Sequence, residues 1–168
     1  TKINTFLSQL LTEKTIESSY QSSIATIWKD RVAKHQEYTA KIPFSDFKVF
    51  DFICQNVPKN SQLQVSNSSA IRYLQLFDLD KSIQVFCNRG TSGIDGSTST
   101  AIGAALATNL PTILITGDIS FLYDSNALWN NYIPKNFKII LLNNSGGGIF
   151  RILPGHQETE TFNTYFET

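Results

Sequence analysis

The sequence predicts an α/β fold with a doubly wound, parallel β-sheet that is preceded by a helical connector. Two observations predict this fold. Short apolar runs rich in β-branched residues alternate with segments of helical character across residues 41–168. Glycine, aspartate or asparagine follows the apolar runs, most clearly after residues 112–116 and 137–142. Because strands that alternate with helices form parallel sheets covered on both faces, we expect one such sheet.

Composition indicates a globular domain and excludes several classes of protein. The 168 residues are 41% hydrophobic and 17% charged, and their formal net charge is zero. No basic run favours nucleic acid or an anionic membrane, and no apolar run approaches the ~20 residues of a membrane span. Cys54 and Cys87 lack metal-ligand spacing, so we expect buried thiols in a reducing, cytoplasmic compartment.

The first 40 residues are predicted to form a helical connector from a preceding domain. Apolar residues recur there at three-to-four spacing, with a polar break at residues 17–23. Residues 41–168 are predicted to form the sheet domain. The chain begins at Thr1 without a methionine and ends in a segment that still carries aromatic residues. We therefore expect a piece of a longer protein, truncated at its C-terminus.

Strands and helices are predicted in turn along the sheet domain. The predicted strands are residues 62–66, 83–87, 112–116 and 137–142. The predicted helices are residues 47–54, a run after Asn67, residues 97–107 and residues 126–132. Ser45 or Asp46 is a candidate cap for the first of these helices, and Asp124 with Ser125 for the last. Small residues in 97–107 would let that helix lie close to the sheet or to a ligand.

A metal and phosphate site is predicted where two strands end. Gly117-Asp118 follows one strand, and Asn143-Asn144 with three glycines follows another. The carboxyl ends of neighbouring parallel strands lie side by side, where open α/β sheets bind ligands. The side chains of Asp118 and Asn144 and the carbonyl of Gly146 are oxygen ligands that suit Mg²⁺, which usually also binds phosphate. Taken singly, each motif could also be a helix cap or a turn.

A second glycine-containing loop, residues 90–96, has glycine at every third position and predicts close contact with a ligand. It matches neither the dinucleotide-binding pattern nor the P-loop pattern. Ile94 could brace a bound heterocycle or pack into the core, and the spacing leaves both alternatives open. Arg72 and Arg89, predicted to lie just after strand ends, are candidates for acidic substrates because guanidinium groups bind carboxylates bidentately.

In these motifs the chain resembles the thiamine-diphosphate-dependent enzymes, whose signature is Gly-Asp followed at this interval by Asn-Asn. More narrowly, residues 60–155 resemble the synthase family of menaquinone biosynthesis within that group. The resemblance lies in Asn67-Ser68, in Asn88-Arg-Gly-Thr-Ser-Gly-Ile-Asp-Gly96, and in residues 117–124 and 143–150. Ile119 stands where many thiamine enzymes have glycine, which favours the narrower family.

The resemblance implies a transferase that requires thiamine diphosphate and Mg²⁺, or Mn²⁺ in its place. It implies that Asp118, Asn144 and Gly146 bind the ion and that Ile94 bends the cofactor. The cofactor-binding residues that it implies are Ser92, Gly93, Ile94, Gly117, Asp118, Ser120, Asn144 and Gly146. The substrate-binding residues that it implies are Asn67, Ser68, Arg72, Arg89, Ile149 and Leu153. The substrates that the resemblance implies are the polycarboxylates 2-oxoglutarate and isochorismate.

The same resemblance implies that no catalytic residue lies in this chain. In the family, a glutamate on an N-terminal domain of a partner subunit activates the cofactor, so we expect a homodimer or homotetramer and no turnover by this chain alone. Two alternatives stay open. One is another thiamine-diphosphate enzyme, such as a 2-oxoacid decarboxylase or an acetolactate-type synthase, and the other is a non-catalytic phosphate-binding regulatory module.

Overall fold

A computed structural model describes residues 3–5, 8–9, 19–155 and 159–165. Its sheet has four parallel strands in the order β2-β1-β3-β4. The strands are β1 (Gln62–Val65), β2 (Gln84–Cys87), β3 (Thr112–Gly117) and β4 (Phe137–Leu142). The predicted parallel α/β fold is therefore confirmed.

The strand order places a topological switch point between β1 and β3. The chain passes from β1 outward to β2, then crosses back to β3 and continues to β4. Val65 pairs with Ile115, so β1 and β3 run in register almost to their carboxyl ends. Ligands of open α/β sheets bind outside the carboxyl ends of the strands at such a point. The residues that follow β1 and β3 are thus placed where a ligand site is expected.

Six helices have defined bounds in the described part of the chain, together with two 3₁₀ turns, Ser125–Leu128 and Gly148–Arg151, and residues 3–5 and 8–9 are also helical. The helices are α1 (Ser19–Lys41), α2 (Asp46–Asn56), α3 (Ser69–Leu74), α4 (Ser97–Leu106), α5 (Asp118–Tyr123) and α6 (Glu160–Tyr165). The helices predicted at residues 47–54 and 97–107 are confirmed to within two residues at each end.

One prediction about a helix is confirmed for the described residues and another is wrong. Residues 19–23, where the apolar pattern is interrupted, belong to α1 as the helical connector predicts, while residues 17–18 lie outside the described residues. Residues 126–132 do not form a helix, because only the 3₁₀ turn Ser125–Leu128 follows α5. Asp124, the proposed cap, instead uses its carboxylate to accept hydrogen bonds from the backbone and hydroxyl of Ser99 at the start of α4.

The chain divides into two compact units, residues 1–38 and 39–168. In the second unit, α2 and α3 cover one face of the sheet through a buried cluster that includes Phe50, Ile71 and Ile115. On α4, which contacts β1 and β3, Ala101 and Ala105 are buried, as expected for small residues that let a helix approach a sheet. Helices therefore cover both faces.

Within the described residues, no helix has both the length and the apolar character needed to cross a membrane.

Candidate functional site

A cavity of about 180 Å³ opens at the carboxyl edge of the sheet, at the switch point. Residues that follow β1, β3 and β4 line it, together with residues from α2, α3 and the loop after β2. The predicted site residues that line it are Asn67, Ser68, Ile94, Gly117, Asp118, Ser120, Asn144 and Ile149. The cavity lining does not include the predicted residues Arg72, Arg89, Ser92, Gly93, Gly146 and Leu153.

Asp118 joins the end of β3 to the loop that follows β4. It is the first residue of α5, and its carboxylate accepts hydrogen bonds from the backbone N–H of Ile119 and of Gly146, each at 2.8 Å. Asp118 and Asn144 line the same cavity, so the structure brings the two predicted side chains together. Gly146 lies beside them, although it is not part of the cavity lining.

The loop after β4 depends on glycine at two positions. Ser145, Gly146 and Gly147 all have positive φ, at 67°, 66° and 57°. Glycine adopts this left-handed conformation without the steric cost that a Cβ atom brings. The turn directs the Gly146 N–H to Asp118, so the glycine run predicted to approach a ligand also has a structural reason to be there.

The side chain of Asn144 contacts a residue that the sequence analysis did not assign to the site. Its Nδ2 donates a hydrogen bond of 2.6 Å to Oδ2 of Asp46, the first residue of α2. Asp46 lines the cavity as well. The two residues are 98 positions apart in the sequence, so no local motif could have revealed this contact.

Asn67 holds the loop after β2. Its side chain is 2% exposed. Its Nδ2 donates to the backbone carbonyls of Asn88 and Gly93, and its Oδ1 accepts from Arg89 Nη1 at 3.2 Å and Cys87 Sγ at 3.3 Å. These contacts use both amide hydrogens and the amide oxygen. Arg89 and Gly93 therefore lie next to a cavity residue without lining the cavity themselves.

Ser120 ties the same loop to α5. Its hydroxyl is buried and donates to the backbone carbonyl of Ile94. This contact holds Ile94 at the cavity wall, where the residue is only partly buried. Of the two alternatives left open for Ile94, the structure places it at the cavity.

Ser68 precedes α3 in a backbone conformation that favours glycine, with φ 70° and ψ −132°. A non-glycine residue held in such a region costs on the order of 1–3 kcal/mol, and such residues cluster at functional sites. The carbonyl of Ser68 accepts a hydrogen bond of 2.8 Å from Arg72 Nη1. The prediction that Arg72 directly follows a strand is wrong, because it lies within α3.

Two further predicted residues, Ser92 and Leu153, are exposed and lie outside the cavity lining. Ser92 is exposed and its hydroxyl donates to the Arg89 carbonyl, while Leu153 is exposed beyond the second 3₁₀ turn. Sequence reasoning also missed Tyr73 and Phe150, which line the cavity. Tyr73 stacks on the core residue Phe50, with ring centroids 5.6 Å apart. In the sequence it reads as a residue of the buried helix face, so nothing there indicated that it also lines the cavity.

The oxygen atoms at the cavity are suitable for a magnesium ion. In the part of the chain that the structure describes, no group of three or more histidine, cysteine, aspartate and glutamate side chains could hold a metal. An ion here would therefore need amide or carbonyl oxygens beside a carboxylate, a ligand set that Mg²⁺ accepts when phosphate completes it. The volume of about 180 Å³ is below the roughly 300–1,000 Å³ typical of a complete ligand pocket.

Comparison with protein families gives a match over residues 67–168 to the thiamine pyrophosphate enzyme, C-terminal TPP binding domain. The chain belongs to the thiamine pyrophosphate enzymes. The resemblance stated from the sequence is thereby confirmed. In this thiamine pyrophosphate enzyme, the matched region begins at Asn67 and includes the loops after β2, β3 and β4.

Curated relatives carry the name 2-succinyl-5-enolpyruvyl-6-hydroxy-3-cyclohexene-1-carboxylate synthase. The relative from Flavobacterium johnsoniae is 66% identical over 98% of this chain and 30% of its own length. That from Flavobacterium psychrophilum is 72% identical over 91% of this chain and 28% of its own length. That from Porphyromonas gingivalis is 42% identical over 89% of this chain and 26% of its own length. This thiamine pyrophosphate enzyme chain thus spans at most about 30% of the length of these three relatives.

Proposed function

We propose that this chain is the C-terminal, cofactor-binding part of a 2-succinyl-5-enolpyruvyl-6-hydroxy-3-cyclohexene-1-carboxylate synthase. Such a transferase decarboxylates 2-oxoglutarate and adds the remaining four-carbon unit to isochorismate in menaquinone biosynthesis. The printed names of the curated relatives support the assignment as this synthase. The observation that carries the proposal is structural: Asp118 and Asn144, from adjacent strands, line one cavity at the switch point.

Asp118, Asn144 and the carbonyl of Gly146 would bind Mg²⁺ or Mn²⁺, and the ion would bind the diphosphate of the cofactor. Support comes from the way the hydrogen-bond donors of this loop are used. The Gly146 N–H donates to Asp118 and the Asn144 Nδ2 donates to Asp46, so oxygen atoms are the groups that remain for a cation.

When bound, thiamine diphosphate would supply a nucleophilic carbanion for the keto carbon of 2-oxoglutarate and an electron sink for its decarboxylation. The protein positions that cofactor, so no protein nucleophile is required. Ile94 would support the bent cofactor from the cavity wall. The contacts that Asn67 and Ser120 make with its loop favour a fixed position for this side chain. Ser92 and Gly93 would contact the cofactor from the same loop, Gly117 and Ser120 from the end of β3.

Arg72 and Arg89 would bind the carboxylates of the two substrates, beside Asn67 and Ser68, with Ile149 and Leu153 as an apolar wall. Both arginines contact residues of the cavity lining, Arg72 through the Ser68 carbonyl and Arg89 through Asn67.

We expect Arg72→Ala and Arg89→Ala in the full-length protein to raise the KM for 2-oxoglutarate or isochorismate and to leave cofactor affinity unchanged. Lys59→Ala, at the opposite end of β1, is the matched control. Normal substrate affinity in both arginine variants would contradict this assignment.

The cofactor-activating glutamate is expected on another part of the full-length protein, contributed by a partner subunit of a homo-oligomer. A cavity smaller than a complete ligand pocket supports a shared site. The 168-residue chain should therefore show no turnover of 2-oxoglutarate and isochorismate, and measurable turnover would contradict the shared site.

We also propose a cytoplasmic location, which the two free cysteines support because disulfides are rare in that compartment.

Isothermal titration calorimetry on the full-length protein tests the cofactor. Thiamine diphosphate and ATP are each titrated with and without Mg²⁺. We expect Mg²⁺-dependent binding of thiamine diphosphate and much weaker binding of ATP. Preference for ATP would overturn the proposal and would favour the phosphate-binding regulatory module. Binding of thiamine diphosphate without use of isochorismate would instead favour another thiamine-diphosphate enzyme.

A further inference from the structure

The contact between Asp46 and Asn144 joins the start of α2 to the loop after β4. The distance from Asn144 Nδ2 to Asp46 Oδ2 is 2.6 Å, shorter than the usual N–H···O distance of about 2.9 Å. Hydrogen bonds to an ionised acceptor are shorter and stronger than neutral ones. Both residues line the cavity, so the bond is formed at the proposed ion site.

This bond determines which end of the Asn144 amide is directed to Asp46. The amide donates through its Nδ2, so its oxygen is left for another partner. Gly148 adds a second constraint. A Cβ atom at residue 148 would lie 3.1 Å from Asn144 Nδ2, tighter than ordinary van der Waals contact, so the missing side chain leaves room for this orientation.

We propose that Asp46 is a positioning residue, which holds the Asn144 amide with its oxygen available to Mg²⁺ and thereby raises the affinity of the site for the ion. The inference rests on the proposed function, because it takes Asn144 as a metal ligand. Groups that orient metal ligands typically account for 10–100-fold in metal affinity. Asp46 is the carboxylate that could orient Asn144, and it comes from an element outside the sequence motifs.

A purely structural role for Asp46 would give a different result. An aspartate in the first turn of a helix stabilises that helix through its interaction with the helix dipole. That contribution does not depend on Asn144 and does not alter metal binding. Metal affinity, measured beside the stability of the metal-free protein, therefore separates positioning from helix stabilisation.

The test measures Mn²⁺ binding by electron paramagnetic resonance, with the full-length protein and thiamine diphosphate present. We expect Asp46→Ala to weaken Mn²⁺ binding by about 10–100-fold. Asp46→Asn keeps an oxygen that can accept from Asn144, so its Mn²⁺ affinity should stay within about threefold of wild type. Asp51→Ala is the matched control, because Asp51 lies on the same helix and accepts a hydrogen bond of 2.9 Å from Gln55.

Gly148→Ala tests the orientation without changing any charge. The added Cβ should displace the Asn144 amide and weaken Mn²⁺ binding even though Asp46 is intact. The result also keeps the proposal testable if Asp46→Ala does not fold, which thermal melting of the metal-free protein would show.

Several outcomes would overturn the proposal. Unchanged Mn²⁺ affinity in Asp46→Ala or in Gly148→Ala would do so. So would equal weakening by Asp46→Ala and Asp46→Asn, since charge and not orientation would then matter, or equal weakening by Asp51→Ala. Failure of the wild-type protein to bind Mn²⁺ with thiamine diphosphate would refute the proposed function instead.

Discussion

Two glycine-containing loops lie at the cavity, and they differ in which of their groups form hydrogen bonds: one accepts through its carbonyls and the other donates to carboxylates. In the β2 loop, residues 88–96, side chains donate to backbone carbonyls: Asn67 to two of them and Ser120 to that of Ile94. In the β4 loop, residues 143–148, carboxylates accept from donors: Asp118 from the Gly146 N–H and Asp46 from the side chain of Asn144.

The difference determines what each loop can offer a ligand. In the β2 loop the carbonyls of Asn88, Gly93 and Ile94 accept from buried side chains, and these contacts hold Ile94 at the cavity. In the β4 loop the Gly146 N–H and the Asn144 side chain donate to two carboxylates, whose negative charge favours a cation. A magnesium diphosphate and the apolar ring system of a cofactor need these two different surfaces side by side.

The largest expected effect comes from removing the carboxylate of the β4 loop. Asp118→Ala removes the carboxylate that we propose as an ion ligand and also the acceptor of the Gly146 N–H. We expect Mg²⁺-dependent affinity for thiamine diphosphate to fall by about 1,000-fold, equivalent to about 4 kcal/mol. Calorimetry on the full-length protein measures this. Asp95→Ala, an exposed carboxylate in the β2 loop, is the matched control and should stay near wild type. Equal losses in both variants would remove the distinction between the loops.

A second test reverses the chemistry that holds the β2 loop. Asn67→Asp is nearly isosteric, yet it loses both donated hydrogen bonds and places a carboxylate against the carbonyls of Asn88 and Gly93. We expect a loss of about 3 kcal/mol in the free energy of unfolding, because a buried charge faces two unpaired oxygens. Urea denaturation measures this loss.

The control for that variant is Asn88→Asp. The Asn88 side chain is exposed and donates to Gly96 and Thr100, so its replacement should cost less than about 1 kcal/mol. A stability loss in Asn67→Asp no larger than in Asn88→Asp would mean that Asn67 does not hold the loop.

Ser68→Gly should separate stability from function at the turn that leads into α3. Glycine relieves a strain of about 1–3 kcal/mol at φ 70° but costs about 0.5–1 kcal/mol in chain entropy, so we expect a net stabilisation of about 1 kcal/mol. Loss of the hydroxyl should reduce substrate use in the full-length protein. Ser69→Gly, within α3, is the control and should destabilise. A less stable Ser68→Gly protein would show that its backbone is not strained.

The fold could be predicted from the sequence because each strand carries a local signal. The predicted strands agree with the structure to within one residue at each end, since apolar runs of β-branched residues end at polar or glycine residues. The convergence of Asp118 and Asn144 also follows from local motifs, because parallel topology brings neighbouring carboxyl ends together.

What the sequence could not reveal depends on contacts between distant residues. Asp124 has the residue type of a local helix cap, but its carboxylate accepts from Ser99 on another helix, so no helix forms over residues 126–132. Asp46 contacts a residue 98 positions away, and the side chain of Asn67 is directed to the β2 loop. In each case the residue type was compatible with several partners, and tertiary packing selected one.

The smallest expected effect concerns the two thiols, that of Cys87 at the end of β2 and that of Cys54 on α2. Burial raises the pKa of Cys87, although the nearby Arg89 opposes this, and the thiol donates to Asn67. Burial and the charge of Asp51 raise the pKa of Cys54, on α2, from 9.0 to about 12. Since the thiolate is the reactive form, both cysteines should be alkylated slowly at pH 8.

The alkylation rate of Cys54 should keep rising with pH beyond 9, because its folded-state pKa lies near 12 and the fraction of thiolate is still small there. In an Asn67→Ala protein, Cys87 loses the acceptor of its thiol hydrogen bond and the side chain that holds the β2 loop, so it should react several-fold faster at pH 8, while Cys54 serves as the internal control. Mass spectrometry of each cysteine over time gives both rates. Equal acceleration at the two sites would indicate general unfolding, whereas acceleration at Cys87 alone would show that Asn67 acts on the β2 loop locally.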